Sequence, residues 1–183
     1  MNIGLSQRVL YHRGRAYDSI EHGWYSYLKE HTLTFIGNRL DQNFKELANQ
    51  LDAFIISGGD DSTLRRTVEI KLTIEFLKQN KPIIGICHGC FLLAELLGSV
   101  IDQKPNHYDI DHSVIYNNEL RQVNSFHNLY IKQVHKTATI LVVDLEDDCE
   151  AWIDKNIAGI AWHPERMENS WIPTEISHLL EKK

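Results

Sequence analysis

Cysteine is scarce in this chain of 183 residues: Cys87, Cys90 and Cys149 are an odd set without the spacing of a disulfide framework. A disulfide-stapled secreted scaffold is therefore excluded, and a reduced, cytoplasmic setting is expected. Long hydrophobic runs are also missing. No apolar stretch approaches the roughly 20 residues that cross a bilayer, and the opening MNIGLSQRVL lacks the basic and apolar regions of a signal peptide. Positive charge is in the minority, with 19 Lys and Arg against 25 Asp and Glu and a formal charge of −6. With no basic run to follow phosphates, nucleic acid is excluded as a partner. Repeats, low-complexity tracts and Pro/Gly/Ser-rich linkers are absent too, so residues 1–183 are expected to form one domain.

What is present is an alternation of short β-branched runs with stretches of helical period. Ile3 to Leu10 reads as a strand, Ser19 to Glu30 as a helix, Leu33 to Ile36 as a weak strand, and Asp41 to Gln50 as a helix capped by Asp41. Ala53 to Ile56 is an unbroken apolar run ending at Ser57-Gly58-Gly59-Asp60. A helix over Leu64 to Gln79 follows, and then a second apolar run, Pro82 to Ile86, leading into Cys87 and the helical FLLAELLG. Strands without polar alternation, separated by helices, indicate a parallel sheet covered on both faces. Further strands are expected at Ser113 to Tyr116, Tyr130 to Val134, Thr139 to Asp144 and Ala158 to Trp162, with a closing helix over Thr174 to Glu181. The expected fold is an α/β three-layer sandwich with a mostly parallel central sheet and ligands at the carboxyl ends of its strands.

Gly85-Ile86-Cys87-His88-Gly89 has the form G-x-C-x-G between a buried strand and a helix. It is the cysteine counterpart of a nucleophile elbow, whose glycines leave room for a very tight turn. The helix that follows points its positive end at the sulfur and favours thiolate. The same turn leaves the His88 N–H free for an oxyanion. Cys87 and Cys90 also read as C-x-x-C, which keeps a redox role open, as does a buried structural cysteine. A thiolate needs a base, and the base needs an orienting group. At the end of a strand His163-Pro164-Glu165 supplies both, since residues i and i+2 face the same way and Pro164 stiffens the corner.

GICHG, AWHPER and the upstream SGGD together resemble the class I glutamine amidotransferase family. The resemblance implies a Cys-His-Glu triad of Cys87, His163 and Glu165 that releases an amine from a γ-glutamyl group through a thioester. It makes the Gly59 N–H the second oxyanion donor beside that of His88, and it places Gly58 at the substrate. Val123-Asn124-Ser125-Phe126-His127 is similar to the V-N-S-x-H stretch of stand-alone γ-glutamyl hydrolases, which implies head-group binding by Asn124, Ser125 and His127. His107 and His112 resemble an H…H-x-V segment of that branch, which includes hydrolases of γ-glutamyl-γ-aminobutyrate. The opening IGLSQR and the stretch from Asp18 through Trp24 to Leu28 look closest to the γ-glutamyl-CDP-amidate hydrolases of bacterial capsule modification.

Two positions depart from the family pattern: Phe91 stands where a Gln usually contacts the glutamyl group, and His88 where many relatives carry Arg. The partner expected is a small γ-glutamyl substrate, with a homodimer left open. No cofactor is expected. No metal is expected either, because His107 and His112 lack a clear third ligand. Glu69 holds a helix position open to the cleft, with a surface helix residue as the default reading; Trp152, Trp162 and Trp171 are read as packing, and Glu146 to Asp148 as a solvated turn. Three rival readings are a glutaminase subunit feeding ammonia to a separate synthetase, a silent binding protein on the same fold, and a thiol redox protein.

Overall fold

The computed structural model describes residues 1–181. The chain opens with β1 (Asn2–Ser6), and there the first departure from expectation occurs. Ile3 to Leu10 is not one strand. The backbone leaves the sheet at Gln7, and β2 (Arg8–His12) pairs with β3 (Arg15–Ser19) in a separate two-stranded hairpin. Arg13 and Gly14 both have positive φ, at 49° and 73°, as a two-residue hairpin turn requires. That hairpin claims the residues up to Ser19, so the expected long helix shrinks to α1 (Gly23–Tyr27).

After β4 (Thr32–Ile36), helix α2 (Phe44–Gln50) is capped by Asn43, whose side chain accepts from the Glu46 N–H at 3.1 Å. Asp41 lies too far upstream to cap and instead pairs with Arg39. The central alternation is as expected: β5 (Ala53–Ile56), α3 (Thr63–Lys78), β6 (Ile83–Ile86) and α4 (His88–Leu96). The second half runs β7 (Val100–Gln103), β8 (Tyr108–Tyr116), β9 (Glu119–Phe126), β10 (Leu129–Gln133), β11 (Thr139–Asp144), β12 (Cys149–Asp154) and β13 (Ile157–Ile160). The chain then passes a 3-10 turn at Pro164–Arg166 and reaches α5 (Thr174–Ser177), which tightens into 3-10 geometry at His178–Leu180 instead of continuing as helix to Glu181.

The main sheet runs β4-β1-β5-β6-β13-β12-β11-β8-β9, with β10 joining β12 to β7. The five strands from β4 to β13 are parallel, and the remainder pair antiparallel. The architecture is thus mixed α/β around a large sheet that is parallel in its core.

Each parallel strand buries both faces, which is why its sequence shows no polar alternation. In β5, Phe54 and Ile56 pack beneath α2, α3 and α4 with Val68, Leu72 and Phe76. Ala53 and Ile55 join the opposite layer with Trp24 of α1 and Ile176 of α5. Trp152 and Trp162 are fully buried packing residues, as expected. No helix among the described residues is long and apolar enough to cross a membrane.

Candidate active site

The turn from β6 into α4 places Cys87 at φ 50° and ψ −104°, a strained conformation for a residue with a side chain. Two glycines make it attainable. A Cβ on Gly85 would lie 2.2 Å from the Gly89 carbonyl oxygen, and one on Gly89 would lie 2.4 Å from that of Ile56. The Cys87 N–H is tied to the Ile160 carbonyl of β13 at 2.8 Å, so the strand before Cys87 and the strand before His163 are locked in register.

His163 follows β13 and donates from Nδ1 to Glu165 Oε1 at 2.7 Å, with both side chains almost wholly buried. Its backbone is clamped by one amide: the His163 N–H donates to Asn124 Oδ1 at 2.8 Å, and Asn124 Nδ2 donates to the His163 carbonyl at 2.9 Å. The Phe126 ring meets the imidazole edge-on at 5.6 Å, and the Phe126 carbonyl lies 3.9 Å from Cys87 Sγ. Burial opposes a charge on His163, but the hydrogen bonds and negative charge of Cys87 and Glu165 outweigh it and raise its pKa to about 9. Folding therefore brings Cys87, His163 and Glu165 together and gives the imidazole a stable proton.

The Ser57-Gly58-Gly59-Asp60 loop is held by a residue that sequence reading passed over. Arg65, with no exposed surface, donates to the carbonyls of Ser57, Gly58 and Asp60. In a trans peptide the carbonyl and the next N–H point in opposite directions. Drawing the Gly58 carbonyl toward Arg65 thus turns the Gly59 N–H to the other side of the loop.

Arg65 is in turn held by Glu69 at 2.8 Å, and Glu69 also accepts from Ser6 Oγ at 2.7 Å and pairs with His88 Nε2 at 2.8 Å. Glu69 is not a surface residue, as expected, but fully buried. Burial would raise its pKa, yet His88, Arg65 and Ser6 hold it below the usual value. The i, i+4 spacing of Arg65 and Glu69 was the available signal; what it could not show was that their helix face points inward.

Asn124 spends its amide on His163, while Ser125 Oγ donates to the His107 carbonyl and His127 Nδ1 to the Leu129 carbonyl at 2.8 Å. The Ser125 and His127 side chains are therefore turned away from the triad. Phe91 stacks on the His127 ring at 5.3 Å. The Cys90 thiol is completely buried, and its pKa is pushed well up by burial and by Cys149, so C-x-x-C lacks a reachable second thiolate.

Beside the triad, a groove of about 440 Å³ is lined by Asn124, Phe126, Arg166 and Met167 among others. Arg166 lies over the Phe126 ring at 4.5 Å, and Arg166 and Arg8 both pair with Glu21. A Cβ on Gly59 would lie 3.1 Å from Arg8 Cδ, which sets Arg8 against the loop that carries Gly59. Behind this wall, His107, His112, Asp144 and Glu150 gather with ligand atoms within 4.8 Å of one another. The fold thus places two carboxylates beside His107 and His112 that their spacing alone did not reveal.

Residues 15–178 match the family described as glutamine amidotransferase class-I. The chain is 30% identical to the γ-glutamyl-CDP-amidate hydrolase of Campylobacter jejuni subsp. jejuni serotype O:2, over 91% of this chain and 90% of that protein. It is 25% identical to the pyridoxal 5'-phosphate synthase subunit PdxT of Bacillus licheniformis, covering 75% and 80% of the two chains. The crystal structure of a glutamine amidotransferase from Thermotoga maritima superposes with a TM-score of 0.69 over 90% of this chain and 76% of that one, at 16% identity, a likeness of fold. This chain belongs to the glutamine amidotransferase class-I family, enzymes of the C–N hydrolase type.

Proposed function

We propose that the chain hydrolyses a γ-glutamyl amide by two-step acyl transfer, with an anionic, nucleotide-phosphoramidate type of leaving group. The observation that carries the chemistry is the convergence of Cys87, at the strained elbow, with the buried His163–Glu165 pair. Cys87 attacks the γ-carbonyl, and the N–H groups of Gly59 and His88 take the oxyanion; a single donor of this kind is typically worth about 2.7–4 kcal/mol of barrier. His163 gives its proton to the departing nitrogen and then activates the water that opens the γ-glutamyl thioester, while Glu165 holds the ring.

Asn124 acts in this reading by positioning His163, and Gly58 by admitting its ring. The head group is left to backbone groups of the loop and of Ser125, not to the side chains of Ser125 and His127. Two observations support the leaving group: the Campylobacter relative, and the Arg8 and Arg166 guanidiniums, which share a single Glu21 at a groove that Asp111 and Glu168 also line. Phe91 offers no polar contact where the family pattern has Gln, so free glutamine is expected to be a poor substrate. Three buried free cysteines support a reducing compartment.

The test is glutamate release from L-glutamine and a panel of γ-glutamyl amides, with Cys87→Ala beside the wild type. Turnover of a phosphoramidate conjugate, abolished in Cys87→Ala, is the expected result. Release from no conjugate, together with glutamine turnover only when a synthase is added, would favour an ammonia-supplying subunit like the Bacillus relative.

A further inference from the structure

We propose that His107, His112, His127 and Glu150 bind one divalent cation of the zinc class at a closed, structural site behind the catalytic wall. His107 precedes β8, His112 lies within it, His127 follows β9, and Glu150 sits on β12. The Nε2 atoms of His107, His112 and His127 lie 3.7, 3.8 and 3.9 Å from the Glu150 carboxylate. The four side chains are buried, at 8%, 13%, 3% and 2% exposure. Three ring nitrogens thus face one buried carboxylate from separate stretches of chain.

None of the facing atoms has a partner. The Nε2 atoms of all three histidines and Glu150 Oε2 are buried without a hydrogen bond. Buried polar atoms are nearly always satisfied, so four orphans in one place call for a missing electrophile. The hydrogen bond from His127 Nδ1 to the Leu129 carbonyl requires the proton on Nδ1, so the Nε2 of the neutral ring presents a lone pair. A proton could link one imidazole to Glu150, but the separations exceed hydrogen-bond length and the other lone pairs would stay unmet. Around tetrahedral zinc, with bonds of about 2.0–2.1 Å, neighbouring ligand atoms sit about 3.3 Å apart. Each histidine-to-Glu150 separation exceeds that value by roughly half an ångström.

Neighbouring charge narrows the donor set. Asp144 is close, but its Oδ1 accepts from the N–H groups of Glu146 and Asp148, and its Oδ2 accepts from Lys104. It serves as an outer anion, and Lys104 already fills the Asp144–Glu146–Asp148 group. Imidazole and carboxylate ligands suit zinc, and four protein donors leave no open position for Lewis-acid catalysis. The ion would pin β8 and the end of β9 to β12. Phe126, which touches both His163 and the Cys87 sulfur, is adjacent to His127. The site stands whether or not the amide chemistry above is correct.

Metal content of protein made without a histidine tag tests this directly. About one zinc per chain is expected, retained in Cys87→Ala, and chelation should lower Tm with zinc restoring it. His112→Gln and Glu150→Gln should weaken zinc binding about 100-fold or more, and the cobalt-substituted wild type should show the visible bands of tetrahedral coordination. Should those variants fail to fold, wild-type dialysis against zinc and melting with chelator decide the matter. Metal-free protein that takes up no zinc and melts alike with zinc or chelator overturns the proposal. So does zinc that disappears in Cys87→Ala.

Discussion

Gly58 lacks a side chain where His163 needs the room: a Cβ there would lie 2.2 Å from the ring's Cε1 and 2.9 Å from Nε2. Gly58→Ala should therefore displace the base, lowering kcat about 100-fold or more, since an ångström of misplacement costs that much. Overpacking should cost a further 1–3 kcal/mol or so of stability; kinetics and a denaturant titration check both. Glu165 acts through charge. Glu165→Gln keeps a hydrogen-bond acceptor for Nδ1 but removes the anion, and kcat should fall by about three orders of magnitude. Together with Cys87, the same residue shapes a pH effect. Folding raises the His163 pKa from 6.5 to about 9, so the folded state holds that proton more tightly than the unfolded chain. The resulting stabilisation is complete below about pH 6.5 and is lost as pH rises through about 9. Unfolding free energies measured across that window should decline in the wild type and decline less in Glu165→Gln.

Helix α3 carries more of the site than its sequence suggests. Arg65 and Glu69 are both fully buried, and one side chain reaches the Ser57–Asp60 loop while the other reaches His88 at the start of α4. Arg65→Met should cost about 3–5 kcal/mol, because it removes one partner of a buried ion pair and leaves the Glu69 carboxylate to His88 and Ser6 alone. Adding Glu69→Gln should recover part of that stability but not kcat, since the loop carbonyls remain unclamped; unfolding curves and kinetics on both variants separate the two effects. This clamp marks the limit of what could be read in advance. The elbow at Cys87 and the His163-Pro164-Glu165 corner were legible because each lies within a few residues whose spacing sets its geometry. Asn124 was singled out, yet its amide turned out to hold the His163 backbone, a pairing made across 39 residues. The hairpin of β2 and β3 escapes the sequence reading because Ser6-Gln7-Arg8 interrupts the apolar alternation of Ile3, Leu5 and Val9 by a single apolar position, and no local pattern records that the strand changes partner there. His127 and Glu150 give no sign of meeting, for one follows β9 and the other lies on β12.

Across the whole molecule, the parallel strands bury both faces while the β2–β3 hairpin leaves Leu10, Tyr11 and Tyr17 at least 46% exposed. Amide exchange should accordingly be slowest in β1, β5, β6 and β13 and fastest in that hairpin, which mass-resolved exchange can map. The parallel core and its helical cover were legible from unbroken apolar runs, whereas the antiparallel half was legible only as strands without an order. That order places β13 between β6 and β12, so it is the only hydrogen-bonded link between the two halves of the sheet among the described residues. During synthesis β13 leaves the ribosome after every other strand, and His163 follows three residues behind it. Until then, the nascent chain holds two half-sheets and a thiol with no base. Pairing of Cys87 with His163 is thereby coupled to closure of the fold, and a chain stopped before residue 163 leaves Cys87 without that neighbour.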